Sequence, residues 1–115
     1  SPGQLVGESK VGFSKIQVDT WTVDATNNEL LFILENRAGK EINITEFDVD
    51  GTTTSDWTSD WHMAAGDKSD SFINITAPSI DSGESYKWDV TITYYLTDYG
   101  SDTTMTSSGS LSGVA

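Results

Sequence analysis

Apolar and polar residues alternate most regularly in the C-terminal third of the chain. The apolar positions are Tyr86, Trp88, Val90, Ile92 and Tyr94, and the residues between them are mostly polar. A period of two sustained over this length predicts a strand with one face in the hydrophobic core. We therefore expect Trp88, Val90, Ile92 and Tyr94 to be core residues.

A different pattern marks Glu29–Asn36, because residues 30–34 are apolar without interruption. Such a run is typical of a strand that is buried on both faces, either at the centre of a sheet or beneath another element. Phe32 and Leu34 are assigned to the core from this segment. The residues that follow it predict a tight turn, with Gly39 at a positive φ.

The other strand-like segments are shorter or less regular, and no segment of helical length has an apolar stripe with caps. They comprise residues 13–21 with a bulge near Ser14 or Lys15, Ile42–Val49, residues 69–76 and residues 102–111. The last of these is rich in Ser and Thr, and we expect its edge to be open. About seven short strands separated by turns predict an all-β, two-sheet sandwich with hairpin and Greek-key connections. We assign residues 12–115 to this single domain and residues 1–11 to a flexible leader.

The composition argues against several classes of function. A chain of 115 residues builds one core, and a net charge of −12 argues against a nucleic-acid partner, which would require clustered Lys and Arg. There is no cysteine, so disulfides and thiol catalysis are excluded. No apolar run is long enough to predict a transmembrane segment.

Catalytic chemistry has little support, because the chain has a single histidine, His62, and a single arginine, Arg37. A nucleophile needs a positioned base, and one histidine beside two large apolar neighbours is typical of a packing or surface residue. Pairs of carboxylates arise by coincidence among 18 acidic residues. We expect no catalytic residues and no enzymatic activity.

Four carboxylates fall close together around a predicted loop, Asp48, Asp50, Asp56 and Asp60. Calcium prefers carboxylate and carbonyl oxygens supplied by loops, which makes these residues candidate ligands. Their spacing does not match a helix-loop-helix calcium loop. A solvated acidic rim without bound metal is the alternative, and no other cofactor is implied.

Two tryptophans in the same region, Trp57 and Trp61, suggest a carbohydrate platform, because sugar rings stack on exposed indoles flanked by carboxylates and amides. The alternative is that they plug the open end of the sandwich core.

The chain contains two Asn-x-Thr sequons, at Asn43 and Asn74. Each asparagine alternates with isoleucines, so each is expected to face away from the core, as a glycan acceptor must. Two sequons whose asparagines face away from the core favour a cell-surface glycoprotein.

Several stretches together resemble a known family. They are Gly12–Ile16, Leu34–Asn36 with Gly39, Ile42–Thr45, Gly83 with Tyr86–Tyr94, and Ser108–Gly113. In these the chain resembles the globular domains of archaeal type IV pilin-like and archaellum-associated proteins, which are exported with a class III signal peptide. The resemblance implies an immunoglobulin-like sandwich outside the cell. The N-terminal hydrophobic helix of that family is not in this sequence, and we expect it upstream.

From this resemblance we expect an extracellular structural or adhesive domain of a surface filament subunit. It would act by protein–protein association with other subunits of the filament or surface layer, and it would form a weak homo-oligomer. Two alternatives stay open. One is a membrane-anchored archaellum stator-type domain that binds the surface layer, and the other is a carbohydrate- or calcium-binding module of a secreted protein.

Overall fold

The computed structural model describes residues 9–54, 61–69 and 73–115, with the backbone alone at residues 61 and 73. These residues form nine β-strands and one short 3-10 helix, Thr97–Tyr99. The strands are β1 (Ser9–Gly12), β2 (Ile16–Asp24), β3 (Glu29–Asn36), β4 (Ile42–Val49), β5 (Thr52–Thr54), β6 (Trp61–Met63), β7 (Ile73–Thr76), β8 (Ser85–Leu96) and β9 (Thr104–Val114).

The strands form two antiparallel sheets, so the predicted all-β sandwich is confirmed. The larger sheet has the order β1-β9-β8-β4-β5, with β6 also paired to β4, and the smaller sheet has the order β2-β3-β7. Successive strands change sheet after β1, β3, β6 and β7. The neighbours β3 and β7 therefore belong to one sheet while β4 and β8 are neighbours in the other, which is a Greek-key arrangement.

Alternation of buried and exposed residues explains how the sheets face each other. In β8, every second residue from Tyr86 to Tyr94 is buried, as its pattern predicts. In β3, Leu30, Phe32 and Leu34 are buried while Leu31 is only half-buried. β3 is the central strand of the smaller sheet, between β2 and β7, but only one of its faces is fully buried, so the expectation of burial on both faces is wrong. All six residues assigned to the core lie within it.

Aromatic contacts mark the centre and one end of the core. At the centre, the rings of Phe32 and Phe47 come from opposite sheets, with their centroids 5.1 Å apart and tilted by 56°. Toward one end, Tyr86 packs on Trp88 with a centroid distance of 4.8 Å. Trp21 Nε1 donates a 2.8 Å hydrogen bond to the Tyr86 hydroxyl, which joins β2 to β8 across the sandwich. The polar atoms of these large side chains are therefore satisfied where the core approaches solvent.

Asn36 is the last residue of β3, and its side chain is hydrogen-bonded to the loops around it. Its Nδ2 lies within hydrogen-bonding distance of the carbonyl oxygens of Lys40, Met63 and Ala64, at 2.9, 3.0 and 3.1 Å. Its Oδ1 accepts a 2.9 Å bond from the Ala38 backbone N–H. One buried amide thus links the turn after β3 to the segment after β6. Gly39, in that turn, has the positive φ expected for it.

Several boundaries differ from the sequence predictions. The last strand, β9, is Thr104–Val114, whereas the sequence predicts residues 102–111. Residues 9–11 belong to β1 and so to the sheet, although they were assigned to the leader. The register of β2 against β3 shifts between Val18 and Thr20, and not near Ser14 or Lys15. Phe13 lies before β2, in the segment that crosses from one sheet to the other. The strand expected over residues 69–76 is described as β7 from Ile73, and residues 70–72 lie outside the described part.

Candidate interaction surface

One edge strand of the larger sheet is β1. It pairs antiparallel with β9 in the register Ser9↔Ser112 to Gly12↔Gly109. All four of its residues are exposed, and Val11 is 68% exposed. Because β1 ends the strand order, its second edge has no partner strand within the described residues. This arrangement corrects the expectation of an open β9 edge, since β1 covers residues 109–112 of that strand.

The chain leaves β1 by crossing over β9. Gly12 and Phe13 both have positive φ, at 89° and 60°, and this conformation is costly for a residue with a side chain. The Phe13 N–H donates a 2.8 Å hydrogen bond to the Ser108 carbonyl, which extends the pairing of β1 with β9 by one step. The ring of Phe13 is buried in the core. Phe13 therefore anchors β1 where the chain passes from one sheet to the other.

Only residues 14 and 15 connect this anchor to β2. The Ser14 N–H donates to Ser107 Oγ at 3.0 Å, and Ser107 Oγ donates in turn to the Ile16 carbonyl at 2.7 Å. Gln17 Nε2 donates to the carbonyl oxygens of Phe13 and Ser14. Side chains from β9 and β2 therefore hold this two-residue linker in a tight bend.

A lysine joins β1 to the smaller sheet. Lys10 Nζ donates a hydrogen bond to the Val18 carbonyl, at the point where the register of β2 with β3 shifts. This bond gives the Val18 carbonyl a partner where the pairing of β2 with β3 is irregular. Lys10 also places a positive charge on an edge strand. Lysine on an edge strand opposes indiscriminate pairing with other chains.

The outer face of β8 and β9 carries hydroxyl groups. Ser108 Oγ donates to Thr91 Oγ1 at 3.2 Å, and Ser110 Oγ donates to Asp89 Oδ1 at 2.9 Å. These cross-strand pairs lie in register, with Ser108 opposite Thr91 and Ser110 opposite Asp89. The face next to the β1 edge is therefore polar, and its serine hydroxyl groups donate to a hydroxyl and a carboxylate on the neighbouring strand.

Of the four candidate calcium ligands, the structure describes Asp48 and Asp50. Asp48 Oδ1 accepts a 2.8 Å hydrogen bond from the Gly51 N–H, and Asp50 occupies the turn with a φ of 51°. Asp56 and Asp60 lie outside the described residues. Among residues 9–54, 61–69 and 73–115, no three or more acidic or histidine side chains form a group that could hold a metal ion.

The candidate sugar platform cannot be placed on the fold. Trp57 lies outside the described residues, and for Trp61 the backbone shows only that it begins β6, opposite Ile44. His62 follows it and is exposed.

The two sequons have opposite environments. Asn74 is exposed on β7, and its Nδ2 donates a 3.2 Å hydrogen bond to Glu29 Oε2. Asn43 is only 2% exposed, so the expectation that it faces solvent is wrong. Although it does alternate with isoleucines, β4 is paired on both sides at this position, with His62 and Tyr95 as its direct neighbours.

The buried amide of Asn43 is only partly satisfied. Its Nδ2 donates to Thr97 Oγ1 at 2.7 Å, whereas Oδ1 has no hydrogen-bond partner among the residues that the structure describes. The nitrogen to which a glycan would be attached is therefore buried and occupied in the folded domain.

Two titratable groups have shifted pKa values. The pKa of Asp24 is lowered below 3.8, chiefly by a hydrogen bond from the Asn27 side chain and then by one from the Asn27 backbone. Burial of Tyr94 raises the pKa of its phenol above 10.0. Both shifts follow from local structure, and the two residues lie on different sheets.

Sequence reasoning missed the residues that build the β1 edge, namely Lys10, Phe13 and Gly109. The one available signal was the pair of glycines at 12 and 109, because glycine within strand-like sequence marks a close backbone approach. No helix within the described ranges is long and apolar enough to cross a membrane. Comparison of the chain with protein-family models, curated proteins and solved structures finds no match.

Proposed function

We propose that this chain is the extracellular, non-catalytic domain of a pilin-like filament subunit, and that it acts by associating with other subunits of the filament or surface layer. The observation that carries the proposal is the outer edge of β1, which pairs with no strand in the described part of the chain. The resemblance to pilin-like domains and the exposed sequon at Asn74 support the extracellular location.

A strand edge presents unpaired N–H and C=O groups that pair readily with another chain. In this domain the edge strand has only four residues and carries Lys10, and both features restrict which partner it accepts. The net charge of −12 keeps copies apart until salt screens the repulsion. Association is therefore expected to be weak at low ionic strength and to increase with salt.

Sedimentation velocity over a salt series at several protein concentrations tests this proposal. We expect a monomer at low salt and dimers or longer assemblies as salt and concentration rise. Val11→Glu adds a charge at the centre of the β1 edge and should reduce assembly. The matched control is Tyr99→Glu, which changes a residue that is 59% exposed and lies outside the strands.

A chain that stays monomeric at high salt and high concentration would contradict association as the function. If such a chain also bound a soluble oligosaccharide, and Trp57→Ala or Trp61→Ala removed that binding, the carbohydrate-binding module would replace the filament proposal.

A further inference from the structure

We infer that β1 is an exchangeable strand: in assemblies of this chain, residues 9–13 of one copy pair with β9 of a second copy. The inference rests on the proposed association and identifies how it occurs. In the monomer and in the exchanged assembly the same residues, 9–13, bind to the edge of β9. The β9 edge is therefore already complementary to the segment that a second copy would insert.

The first step concerns what holds β1 in place. Its principal neighbour among the strands is β9, and all four of its residues are exposed. Detaching β1 therefore exposes little apolar surface beyond the ring of Phe13. The ladder that is lost, from Ser9↔Ser112 to Gly12↔Gly109, is restored when the same residues of another copy bind there.

The second step concerns Phe13, which moves with the strand. Its N–H bonds to the Ser108 carbonyl, and its ring lies against Gly109, so both contacts are made with β9. In the exchanged form the ring would fill the same position in the core of the acceptor. A buried aromatic anchor on an exposed strand gives the exchange both affinity and register.

The third step is the hinge. Between Phe13 and Ile16 there are only two residues, and Phe13 holds a positive φ that an extended linker would not require. Short hinges under strain favour exchange over closure within one chain. When residues 14 and 15 extend, β1 and β2 can continue as one strand shared between two copies.

Exchange of a terminal strand also determines the kind of assembly. Each copy has one strand to donate and one β9 edge to receive it, so the interface is head-to-tail unless two copies exchange reciprocally. Head-to-tail contacts that do not close produce filaments. A reciprocal dimer is the closed form of the same contact.

Engineered cysteines can detect exchange directly, because the chain has none of its own. Val11 and Ser110 are paired in the ladder, within the range that a disulfide can bridge. We would mix a Val11→Cys chain with a Ser110→Cys chain at high salt and high concentration, then oxidise the mixture. A covalent heterodimer is expected at several times the yield from a Tyr99→Cys and Ser110→Cys mixture, which measures random collision. A Ser9→Cys and Ser112→Cys mixture repeats the test two residues along the ladder.

A double variant carrying both Val11→Cys and Ser110→Cys in one chain separates exchange from simple edge-to-edge contact. If it is oxidised as a dilute monomer, β1 is locked to its own β9, and assembly measured by sedimentation should fall to the low-salt level. Reduction should restore assembly. Assembly that persists in the locked chain, or a heterodimer yield no higher than the control, would overturn exchange while leaving association intact. Absence of assembly in the unmodified chain would contradict the proposed function itself.

Discussion

Phe13 lies across the backbone of β9 at Gly109, so closely that a Cβ atom at residue 109 would lie 2.5 Å from Cδ2 of the Phe13 ring. The same Cβ would lie 2.5 Å from the Val11 carbonyl oxygen. A methyl group at this position therefore displaces the anchor or separates β1 from β9. The contact links residues that are far apart in sequence, at the point where the chain changes sheets.

From this contact we expect Gly109→Ala to lower the free energy of unfolding by about 1–3 kcal/mol, the usual cost of overpacking. Chemical denaturation monitored by tryptophan fluorescence measures the change. Ser108→Ala, at an exposed position on the same strand, is the control and should change stability by less than about 0.5 kcal/mol. A fully stable Gly109→Ala protein would mean that Phe13 does not pack on this backbone.

Asn36 offers a second test of the packing. Asn36→Ala leaves the carbonyls of Lys40, Met63 and Ala64 without the amide donor that they share, and we expect a loss of about 2–4 kcal/mol in unfolding free energy. Asn27→Ala removes an exposed asparagine from a turn and should cost much less. Equal losses for the two variants would contradict the role of Asn36 in joining the loops.

We expect the largest loss of stability from a substitution in β8, the central strand of the larger sheet. Val90 is fully buried, and Val90→Asp places an unpaired carboxylate in the core at a cost of several kcal/mol, against a typical total stability of about 5–15 kcal/mol. The variant should lack a cooperative unfolding transition. Thr91→Asp, on the outer face of the same strand, should fold. A cooperative, native-like Val90→Asp protein would place the core on the opposite face of β8.

The raised pKa of Tyr94 predicts a loss of stability in alkali. The folded state retains the phenol proton to higher pH than the unfolded state, whose tyrosine ionises near 10.0. This contribution is present in full below that pH and is lost as pH rises through the higher folded pKa. Denaturation midpoints measured from about pH 8 to pH 11 should fall less steeply in Tyr94→Phe than in the parent chain. Equal slopes in the parent chain and in Tyr94→Phe would contradict this contribution of Tyr94.

The two sequons predict different glycan occupancy. In a secreting host that glycosylates Asn-x-Thr, the folded product should carry a glycan at Asn74, and the intact mass should fall by one glycan in Asn74→Gln. Asn43→Gln should leave the glycan mass unchanged, because the Asn43 amide is buried. A glycan on Asn43 in folded, monodisperse protein would contradict the position of that side chain.

The pattern of apolar and polar residues predicted the strands whose position depends on neighbouring residues in the sequence, namely β3 and β8. The bounds of β3 match because turn-forming residues stand on both sides of an apolar run, and β8 matches because alternation alone determines which face is buried. The phase of residues 13–21 could not be read in this way. Phe13 lies before β2 in a conformation that depends on contact with Ser108 and Gly109, and the register of β2 shifts between Val18 and Thr20.

Buried polar residues were missed for a similar reason. Asn43 alternates with isoleucines and is therefore expected to face solvent. Asn36 is in phase with the buried Leu30, Phe32 and Leu34, but it is a polar residue at the end of its strand, beside a predicted turn. Asn36 is buried by the segment after β6, and Asn43 by the pairing of β4 with two strands at once. Both effects arise from distant parts of the chain, which periodicity does not describe.

The antiparallel pairing of Ser9 with Ser112 has a mechanical consequence. Tension applied between these two residues acts across the strands rather than along them, so the β1–β9 ladder would unzip one hydrogen bond at a time and would not be sheared as a unit. Sequential rupture needs little force. A pull on both ends of the domain would therefore release β1 first and uncover the β9 edge, while the remaining strands of both sheets stay folded.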